Sequence, residues 1–220
     1  VGLDIGGSKT LLIIFSEDHK VILKEKFSSS GDWSFIREIT HQSLCQAKIM
    51  EDQVVAMGVG VAGIVDPLTG RIIDAPALKW KNLDVMTPWK SYFKFPIYIS
   101  NDVNCALLGE MFMGEGKNCQ DLFYISIGTG LGSALALNGE LIYGSNQMAG
   151  EIAYIIDKDD VQKGKRNVLG GSGVQEQKIS GTALAKHFPS AKEFFNLYET
   201  GNLKAMEFMD AAGLDLVTIE

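Results

Sequence analysis

The residues best suited to chemistry open the chain, where Val1 to Thr10 read V-G-L-D-I-G-G-S-K-T. Two adjacent glycines let the backbone turn tightly and let a ligand approach the main chain. Successive N–H groups in such a turn can cradle an anion. Lys9 adds a positive charge, whereas Asp4 would repel a phosphate unless a cation lay between them. The pattern therefore predicts a strand, a turn that holds a phosphate chain with Mg²⁺, and a second strand; an ordinary glycine-rich hairpin is the alternative.

A similar arrangement recurs later in the chain. The apolar run Leu122–Ile127 leads into Gly128-Thr129-Gly130-Leu131-Gly132, and a second apolar run follows to Leu137. Asn138-Gly139 then signals a hairpin turn. The order of strand, glycine turn, strand, turn and strand matches that of residues 1–27, so we interpret it as an internal duplication in which Gly128 corresponds to Gly6. Two such units could bring two phosphate-binding turns face to face across a cleft.

Composition narrows the class of protein. The chain has 220 residues, 46% of them hydrophobic, and a net charge of −7, which indicates one large or two small globular domains. The acidic balance argues against nucleic-acid binding, and no apolar run reaches the length of a membrane span. Three cysteines without close pairing fit a reducing, cytoplasmic compartment. Because the chain begins within a predicted strand and lacks an initiating Met, we expect it to continue at both ends.

The remaining pattern predicts alternating strands and helices. Predicted strands cover Val21–Phe27, Val54–Val61 and Pro96–Ser100, and a small hairpin follows Asp66-Pro67. Predicted helices cover residues 33–50, with Asp32 as the cap, and 84–93, 103–113, 182–187, 191–198 and 203–216. Residues 144–173 read as loop, and no strand is predicted after about residue 156.

Two motifs resemble those of other functional classes, but the residues around them do not match those classes. Gly58 to Gly63 has the spacing G-x-G-x-x-G, but Val65-Asp66-Pro67 and a turn follow it where a dinucleotide site needs a helix. Residues 6–10 resemble the end of a Walker A motif but lack its spacer and the glycine before the lysine. We therefore set aside the dinucleotide-binding and P-loop classes.

Six motifs together resemble the ROK family (repressors, open reading frames and kinases), which belongs to the actin/hexokinase/Hsp70-like superfamily. They are D-I-G-G-S-K-T at 4–10, G-V-A-G-I-V-D-P at 60–67, I-S-N-D-V-N-C-A-L-L-G-E at 99–110, I-S-I-G-T-G-L-G at 125–132, A-G-E-I-A-Y at 149–154 and E-Q-K-I-S-G at 176–181. The resemblance implies an α/β, duplicated actin-like ATPase (ribonuclease H-like) fold with two lobes around a central cleft. Residues 1–104 would form the N-terminal lobe, and residues 105–220 an incomplete C-terminal lobe.

The resemblance also implies an enzyme, a glucokinase-like sugar kinase that phosphorylates a hexose hydroxyl with ATP and Mg²⁺. Asp102 would be the general base, and its alternative role is the N-cap of the following helix, so that both remain open. Asp4 would hold Mg²⁺ through water. The phosphates would be bound by Gly6, Gly7, Ser8, Lys9, Thr10, Gly128, Thr129 and Gly130. The sugar would be bound by Gly63, Asn101, Asp102, Glu151 and Glu176, although Glu151 alone would equally suit a surface or capping position.

The chain departs from the family pattern in several places. The segment between the A-G-E and S-G motifs contains neither Cys nor His, so we expect no zinc site. Tyr154 replaces a common His, and Ala77 stands where an Asn usually contacts sugar, which leaves the sugar open. The glycine pair that packs on adenosine would lie beyond residue 220. Further family expectations are a homodimer with no membrane or nucleic-acid partner.

Two other classes of protein remain. One is a sugar-sensing transcriptional regulator of the same family whose DNA-binding domain precedes Val1. The other is an ATPase of the superfamily that is not a kinase, in which Asn101, Glu151 and Glu176 would have no purpose.

Overall fold

A computed structural model describes residues 1–29, 33–167 and 170–217, with side chains to residue 213. The predicted cap Asp32 lies outside the described residues. The chain forms two compact units, the first comprising Val1–Cys119 and Tyr143–Met148, and the second Gln120–Ile142 and the chain from Ala149 onward. The first unit thus extends past the lobe boundary expected after residue 104, and the lobe assignment itself stays a prediction.

The first unit mixes strands with helices, as the α/β prediction requires. Its strands are Gly2–Ile5 (β1), Lys9–Phe15 (β2), Val21–Ser28 (β3), Met57–Val61 (β4), Ile64–Asp66 (β5), Arg71–Ala75 (β6), Trp80–Asp84 (β7) and Ile97–Asn101 (β8). Its helices are Trp33–Gln46 (α1), Met86–Tyr92 (α2) and Asp102–Met113 (α3), and 3₁₀ turns cover Glu51–Gln53 and Pro76–Leu78.

The main sheet brings three of the segments with predicted site residues to one edge. Its order is β3-β2-β1-β4-β8, in which β1, β2 and β3 are antiparallel neighbours and β1, β4 and β8 run parallel. Ile5 lies opposite Val61, and Val61 lies opposite Asn101, so the three parallel strands end in register. The residues that follow these strands therefore emerge side by side, at the carboxyl edge where α/β sheets bind ligands.

One face of this sheet carries the core of the first unit. Leu3, Ile5, Leu12 and Ile14 alternate along β1 and β2 and are buried in one apolar cluster together with residues of α1 and α2. Trp33 and Trp89 stack within it, with ring centroids 4.2 Å apart. The Trp33 indole N–H donates to the Val85 carbonyl at 3.3 Å, so its polar atom is satisfied despite burial.

Helix α1 ends earlier than predicted. The prediction extended to Met50, but the helix stops at Gln46 because Lys48 takes a left-handed φ of 57°. The Ile49 N–H then reaches back to the Leu44 carbonyl at 3.0 Å, which is the six-to-one bond of a Schellman end. The strand predicted from Val54 likewise begins only at Met57.

The second unit repeats the three-stranded pattern of β1 to β3, as the predicted duplication requires. Leu122–Ile127 (β9), Leu131–Leu137 (β10) and Glu140–Leu141 (β11) form an antiparallel sheet of order β11-β10-β9. A 3₁₀ turn covers Ile152–Tyr154, and helices cover Lys158–Gln162 (α4), Gln175–Ile179 (α5), Gly181–Leu184 (α6), Ala191–Glu199 (α7) and Leu203–Val217 (α8). None of the helices in the described residues combines the length and apolar character needed to cross a bilayer.

Two leucines test where the stability of the first unit resides. Leu12 in β2 is 0% exposed, whereas Leu68 in the β5–β6 turn is 93% exposed. We expect Leu12→Ala to lower the free energy of unfolding by about 2–5 kcal/mol, because it removes buried methyl groups and leaves a cavity. The matched Leu68→Ala variant should change it by less than about 0.5 kcal/mol.

Urea unfolding followed by tryptophan fluorescence measures this difference. The chain's three tryptophans, Trp33, Trp80 and Trp89, are all in the first unit, so the signal reports that unit. Equal losses for the two variants would contradict the assignment of the core.

Candidate active site

The turn between β1 and β2 has two backbone N–H groups with no acceptor among the described residues. The Gly6 N–H donates to the Lys9 carbonyl at 3.1 Å and closes the turn. Within the described residues, the N–H groups of Gly7 and Ser8 have no acceptor. Ser8 and Lys9 are exposed. Two adjacent free N–H groups beside a lysine form an environment suited to an anion.

Ser29, which directly follows β3, holds this turn in place. Its hydroxyl donates to the Gly6 carbonyl at 2.7 Å, and its N–H donates to the Ser8 carbonyl at 3.1 Å. The Thr10 hydroxyl lies 2.8 Å from the Ser29 hydroxyl. Because the Ser29 hydroxyl donates its proton to the Gly6 carbonyl, the Thr10 hydroxyl is the donor in its contact with Ser29.

The structure gives Thr10 a role other than the predicted one of binding phosphate. Thr10 is 0% exposed, and its hydroxyl is committed to Ser29. Thr10 supports the turn from the buried face of the sheet and does not offer its hydroxyl to a phosphate, which corrects the expectation. The predicted strand ended at Phe27 and no role was predicted for Ser29, because the sequence carries no signal for a contact with a residue 23 positions away.

Close packing explains two of the predicted glycines. A Cβ on Gly7 would lie 2.6 Å from the Cβ of Ala77, so this part of the turn rests directly on Ala77. A Cβ on Gly63 would lie 2.6 Å from the Asp74 carbonyl oxygen and 2.7 Å from the Ala75 Cβ. Real Cβ contacts are not that short, and both positions therefore require glycine.

The start of α3 shows which residue is the N-cap, the structural alternative that the sequence left open for Asp102. Asn101 is the N-cap, and its side-chain oxygen accepts the Asn104 N–H at 3.0 Å. Its amide nitrogen donates to the Gly63 carbonyl at 3.0 Å and ties β8 to the loop after β4. Asp102 is the first residue of the helix, and its Oδ1 accepts the adjacent Val103 N–H at 3.0 Å. Asp102 is therefore not the cap, and its carboxylate keeps further acceptor capacity.

Burial sets the acidity of the Asp102 carboxyl. Burial raises its pKa, the Val103 N–H lowers it, and the negative charge of Asp4 raises it further. Cys105, one turn along α3, is affected in the same way, since burial together with Asp102 and Asp4 raises the pKa of its thiol to about 11. The negative charge of Asp4 thus disfavours ionisation of both Asp102 and Cys105, and the Cys105 thiol stays protonated at neutral pH.

Asp4 is exposed, whereas Asp102 and Cys105 are half-buried. Protein atoms around the Asp4 carboxyl desolvate it in part and raise its pKa, while Lys26 on β3 acts in the opposite direction. Among the described residues, no three His, Cys, Asp or Glu side chains form a ready-made metal cage. Mg²⁺ is usually held by one or two carboxylates with phosphate and water, so Asp4 fits this ion. A cation here would also relieve the repulsion between Asp4 and Asp102.

The second glycine turn, between β9 and β10, is held by residues that lie about fifty positions later in the chain. The Gly128 N–H donates to the Gly130 carbonyl at 3.0 Å. The Gly128 carbonyl accepts the Gly181 N–H at 2.7 Å, and the Thr129 carbonyl accepts the Thr182 N–H at 3.1 Å and its hydroxyl at 2.7 Å. In the part of the chain that the structure describes, the N–H groups of Thr129 and Gly130 have no acceptor. This turn therefore also presents two adjacent donors.

The predicted sugar-binding acids of the second unit lie around one apolar cluster formed by Leu131, Ile152, Ala153 and Ile179. Glu176 on α5 contacts the glycine turn, and its Oε2 accepts the Leu131 N–H at 3.1 Å. Glu151 precedes the 3₁₀ turn at Ile152 and does not cap it with its side chain. Ser133 on β10 accepts the Ile152 N–H at 2.9 Å and donates to the Gly150 carbonyl, and so fixes the backbone on both sides of Glu151.

Comparison with known proteins identifies the family. A model of the ROK family matches residues 1–217, and the chain therefore belongs to the ROK family. The resemblance inferred from the six motifs is confirmed.

The relatives divide between regulators and enzymes. A xylose repressor from Caldicellulosiruptor bescii is 30% identical over 73% of this chain and 42% of its own length. A glucokinase from Streptomyces coelicolor is 27% identical over 85% of this chain and 58% of its own length. The chain spans about half the length of the curated relatives it matches.

The fold is shared with solved ROK structures. A ROK-family glucokinase from Streptomyces griseus, in complex with glucose and AMPPNP, is 24% identical with a TM-score of 0.77 and covers 99% of this chain and 78% of its own. The predicted α/β fold class is confirmed by this likeness.

Two substitutions separate the two bonds made by Asn101. Asn101→Ala loses both the α3 cap and the donor to Gly63, so we expect it to lower the free energy of unfolding by about 1–2 kcal/mol. Asn101→Ser keeps a capping oxygen and should recover about half of that loss. Urea unfolding with tryptophan fluorescence measures both. Full recovery by serine would mean that the bond to the Gly63 carbonyl contributes nothing.

Proposed function

We propose that this chain is part of an ATP-dependent sugar kinase that transfers a phosphoryl group to a hydroxyl of a hexose. The observation that carries the proposal is the state of Asp102. Its carboxylate stands at the first position of α3, Asn101 supplies the cap in its place, and a partly desolvated environment surrounds it. The glucokinases among the relatives and solved structures support the same reaction class.

In the proposed mechanism Asp102 is the general base. One oxygen of its carboxylate accepts the Val103 N–H, and the other accepts the hydrogen of the attacking sugar hydroxyl. As the sugar oxygen bonds to the γ-phosphorus, the bond from that phosphorus to the bridging oxygen breaks, ADP leaves, and the proton passes to Asp102. A raised pKa makes the carboxylate a stronger base for this transfer. Mg²⁺, when bound near Asp4, neutralises charge on the phosphates.

The phosphate contacts follow from the two turns. The N–H groups of Gly7 and Ser8 in the first turn, and of Thr129 and Gly130 in the second, would donate to phosphate oxygens, and the Lys9 ammonium would add charge. Preorganised donors of this kind cost little reorganisation during the reaction. Gly6 and Gly128 contribute their backbone conformation to the same turns.

On the sugar side, the proposed contacts come from Asn101, Glu151, Glu176 and Gly63. Asn101 uses one amide hydrogen on Gly63 and retains a second for a sugar hydroxyl. Glu151 and Glu176 would accept hydroxyl donors. Gly63 would border the sugar through its backbone. Ala77, which packs on Gly7, offers no polar group to the sugar.

The xylose repressor among the relatives favours a second candidate, a sugar-sensing transcriptional regulator. In that case the same residues would bind sugar without turnover, and a DNA-binding domain would precede Val1 in the full-length protein. Determining the gene sequence upstream of Val1 distinguishes the two, since a helix-turn-helix segment there would favour the regulator. A cytoplasmic location and a homodimer remain expectations from the family.

The test of the kinase is an ATP-consumption panel on the full-length protein with glucose, fructose, mannose, N-acetylmannosamine, allose and β-glucosides. We expect one of these to be phosphorylated. Asp102→Asn should then lower kcat by about 10²–10⁴-fold, because the base is lost, and leave sugar binding measurable by calorimetry. The control Asp210→Asn changes an exposed acid on α8. Turnover by Asp102→Asn at the wild-type rate would contradict the role of Asp102.

The same variant predicts a change in stability with pH. The raised pKa of Asp102 means that the folded protein binds its proton more tightly than the unfolded chain does. The tighter proton binding stabilises the folded protein fully at a pH below the ordinary carboxyl pKa of 3.8. This stabilisation is lost as the pH rises through the higher pKa of Asp102 in the folded protein. We therefore expect Asp102→Asn to be more stable than the wild type at neutral pH, by a margin that shrinks as the solution is acidified. Thermal unfolding from acid to neutral pH measures it, and an unchanged or lowered Tm at pH 7 would contradict it.

A further inference from the structure

Glu176 occupies an unusual position for a residue expected to contact only sugar. Its Oε2 accepts the N–H of Leu131, the residue that directly follows the Thr129-Gly130 pair of free donors. A Cβ on Gly130 would collide with the same oxygen. The carboxylate therefore lies against the turn itself, and the lack of a side chain at Gly130 is what admits it.

The segment that carries Glu176 holds the rest of the turn as well. Five residues later, Gly181 donates its N–H to the Gly128 carbonyl, and a Cβ at Gly181 would lie only 2.5 Å from that oxygen. Thr182 binds the Thr129 carbonyl with its N–H and its hydroxyl. Ser180 caps this helix start by accepting the Ala183 N–H at 3.1 Å. Residues 176–182 thus engage consecutive peptide groups of the turn, and all of these contacts lie within the second unit.

We propose that Glu176 is a positioning residue that couples binding of the acceptor sugar to the affinity of the second glycine turn for nucleotide phosphate. The proposal rests on the proposed sugar kinase function. One carboxylate oxygen holds Leu131, and the other accepts a hydroxyl of the sugar.

The coupling arises because the Glu176 carboxylate takes part in two binding sites, the one for sugar and the one for phosphate. A carboxylate can accept donors at both oxygens at once. A sugar hydroxyl on the second oxygen restricts the rotation of the side chain, so the turn loses less entropy when phosphate binds afterwards. By linkage, bound nucleotide strengthens sugar binding by the same factor.

A residue that only contacts sugar makes a different prediction. Removing it would weaken sugar binding and leave nucleotide affinity unchanged when no sugar is present. Removing Glu176 should instead weaken nucleotide binding even without sugar, because the Leu131 N–H loses its acceptor. The affinity for nucleotide in the absence of sugar therefore separates the two roles.

The experiment uses the full-length protein and the sugar that it phosphorylates. Titration calorimetry measures the Kd of Mg²⁺-AMPPNP with and without that sugar for the wild type, Glu176→Ala, Glu176→Gln and the control Glu199→Gln, which changes an exposed acid at the end of α7. In the wild type we expect sugar to tighten nucleotide binding about tenfold. Glu176→Ala should weaken nucleotide binding without sugar about tenfold and abolish the effect of sugar.

Glu176→Gln separates charge from geometry. It keeps an acceptor for Leu131 but loses the charge, so we expect an intermediate affinity and a smaller sugar effect. The control should match the wild type in both measurements. Circular dichroism establishes that each variant is folded.

Each outcome has one meaning. Wild-type nucleotide affinity without sugar in a folded Glu176→Ala protein overturns the coupling and leaves the kinase intact. If the Glu176→Ala variant does not fold, the Glu176→Gln variant decides. A folded Glu176→Gln protein with wild-type nucleotide affinity and a wild-type sugar effect overturns the coupling. A wild type that phosphorylates no sugar overturns the proposed function instead, whatever the calorimetry shows.

Discussion

The structure depends on how the carbonyl groups of two glycine turns are occupied. The carbonyl of one residue and the N–H of the next belong to one planar peptide group and point in opposite directions. When Ser29 donates to the Gly6 carbonyl, the Gly7 N–H is directed to the other side. When Gly181 and Thr182 donate to the Gly128 and Thr129 carbonyls, the N–H groups of Thr129 and Gly130 are directed likewise. Glycine permits each turn, but the donors behind it determine which way its N–H groups face.

The two turns reach this result by different means, although they belong to duplicated three-stranded units. The first is closed by a bond from Gly6 to Lys9 and held by Ser29, which ends the same meander. The second is one residue shorter, is closed from Gly128 to Gly130, and is held by α6, about fifty residues away along the chain. The duplication preserves the orientation of the donors and not the residues that impose it. A sequence comparison that aligns Gly6 with Gly128 cannot find Ser29 or Thr182 for this reason.

Local patterns predicted most of the strands and both glycine turns. Alternation and apolar runs located β1 to β3, β8, β9 and β10, because each has an apolar face or an abrupt glycine boundary. Strand β7 was missed, since Asn82 within it has a φ of 49° and the strand is formed by pairing with β6. Helix α5 was missed because it has only five residues, Gln175–Ile179, which are too few to show a helical period. The buried role of Thr10 was also missed, because it depends on which face of β2 meets the core.

The order Asn-Asp at the start of α3 assigns separate tasks to two similar side chains. The cap needs an acceptor for the Asn104 N–H, and either residue could provide one. The Gly63 carbonyl needs a donor, which an ionised Asp lacks and Asn supplies. With Asn at the cap, the acid occupies the next position, where its carboxylate accepts the Val103 N–H and its pKa is raised by the charge of Asp4. Stability alone would not select a partly desolvated acid beside a second acid, because each raises the cost of ionising the other. The proposed role of Asp102 as general base would use this raised basicity, and the two structural bonds of Asn101 leave the Asp102 carboxylate available for it.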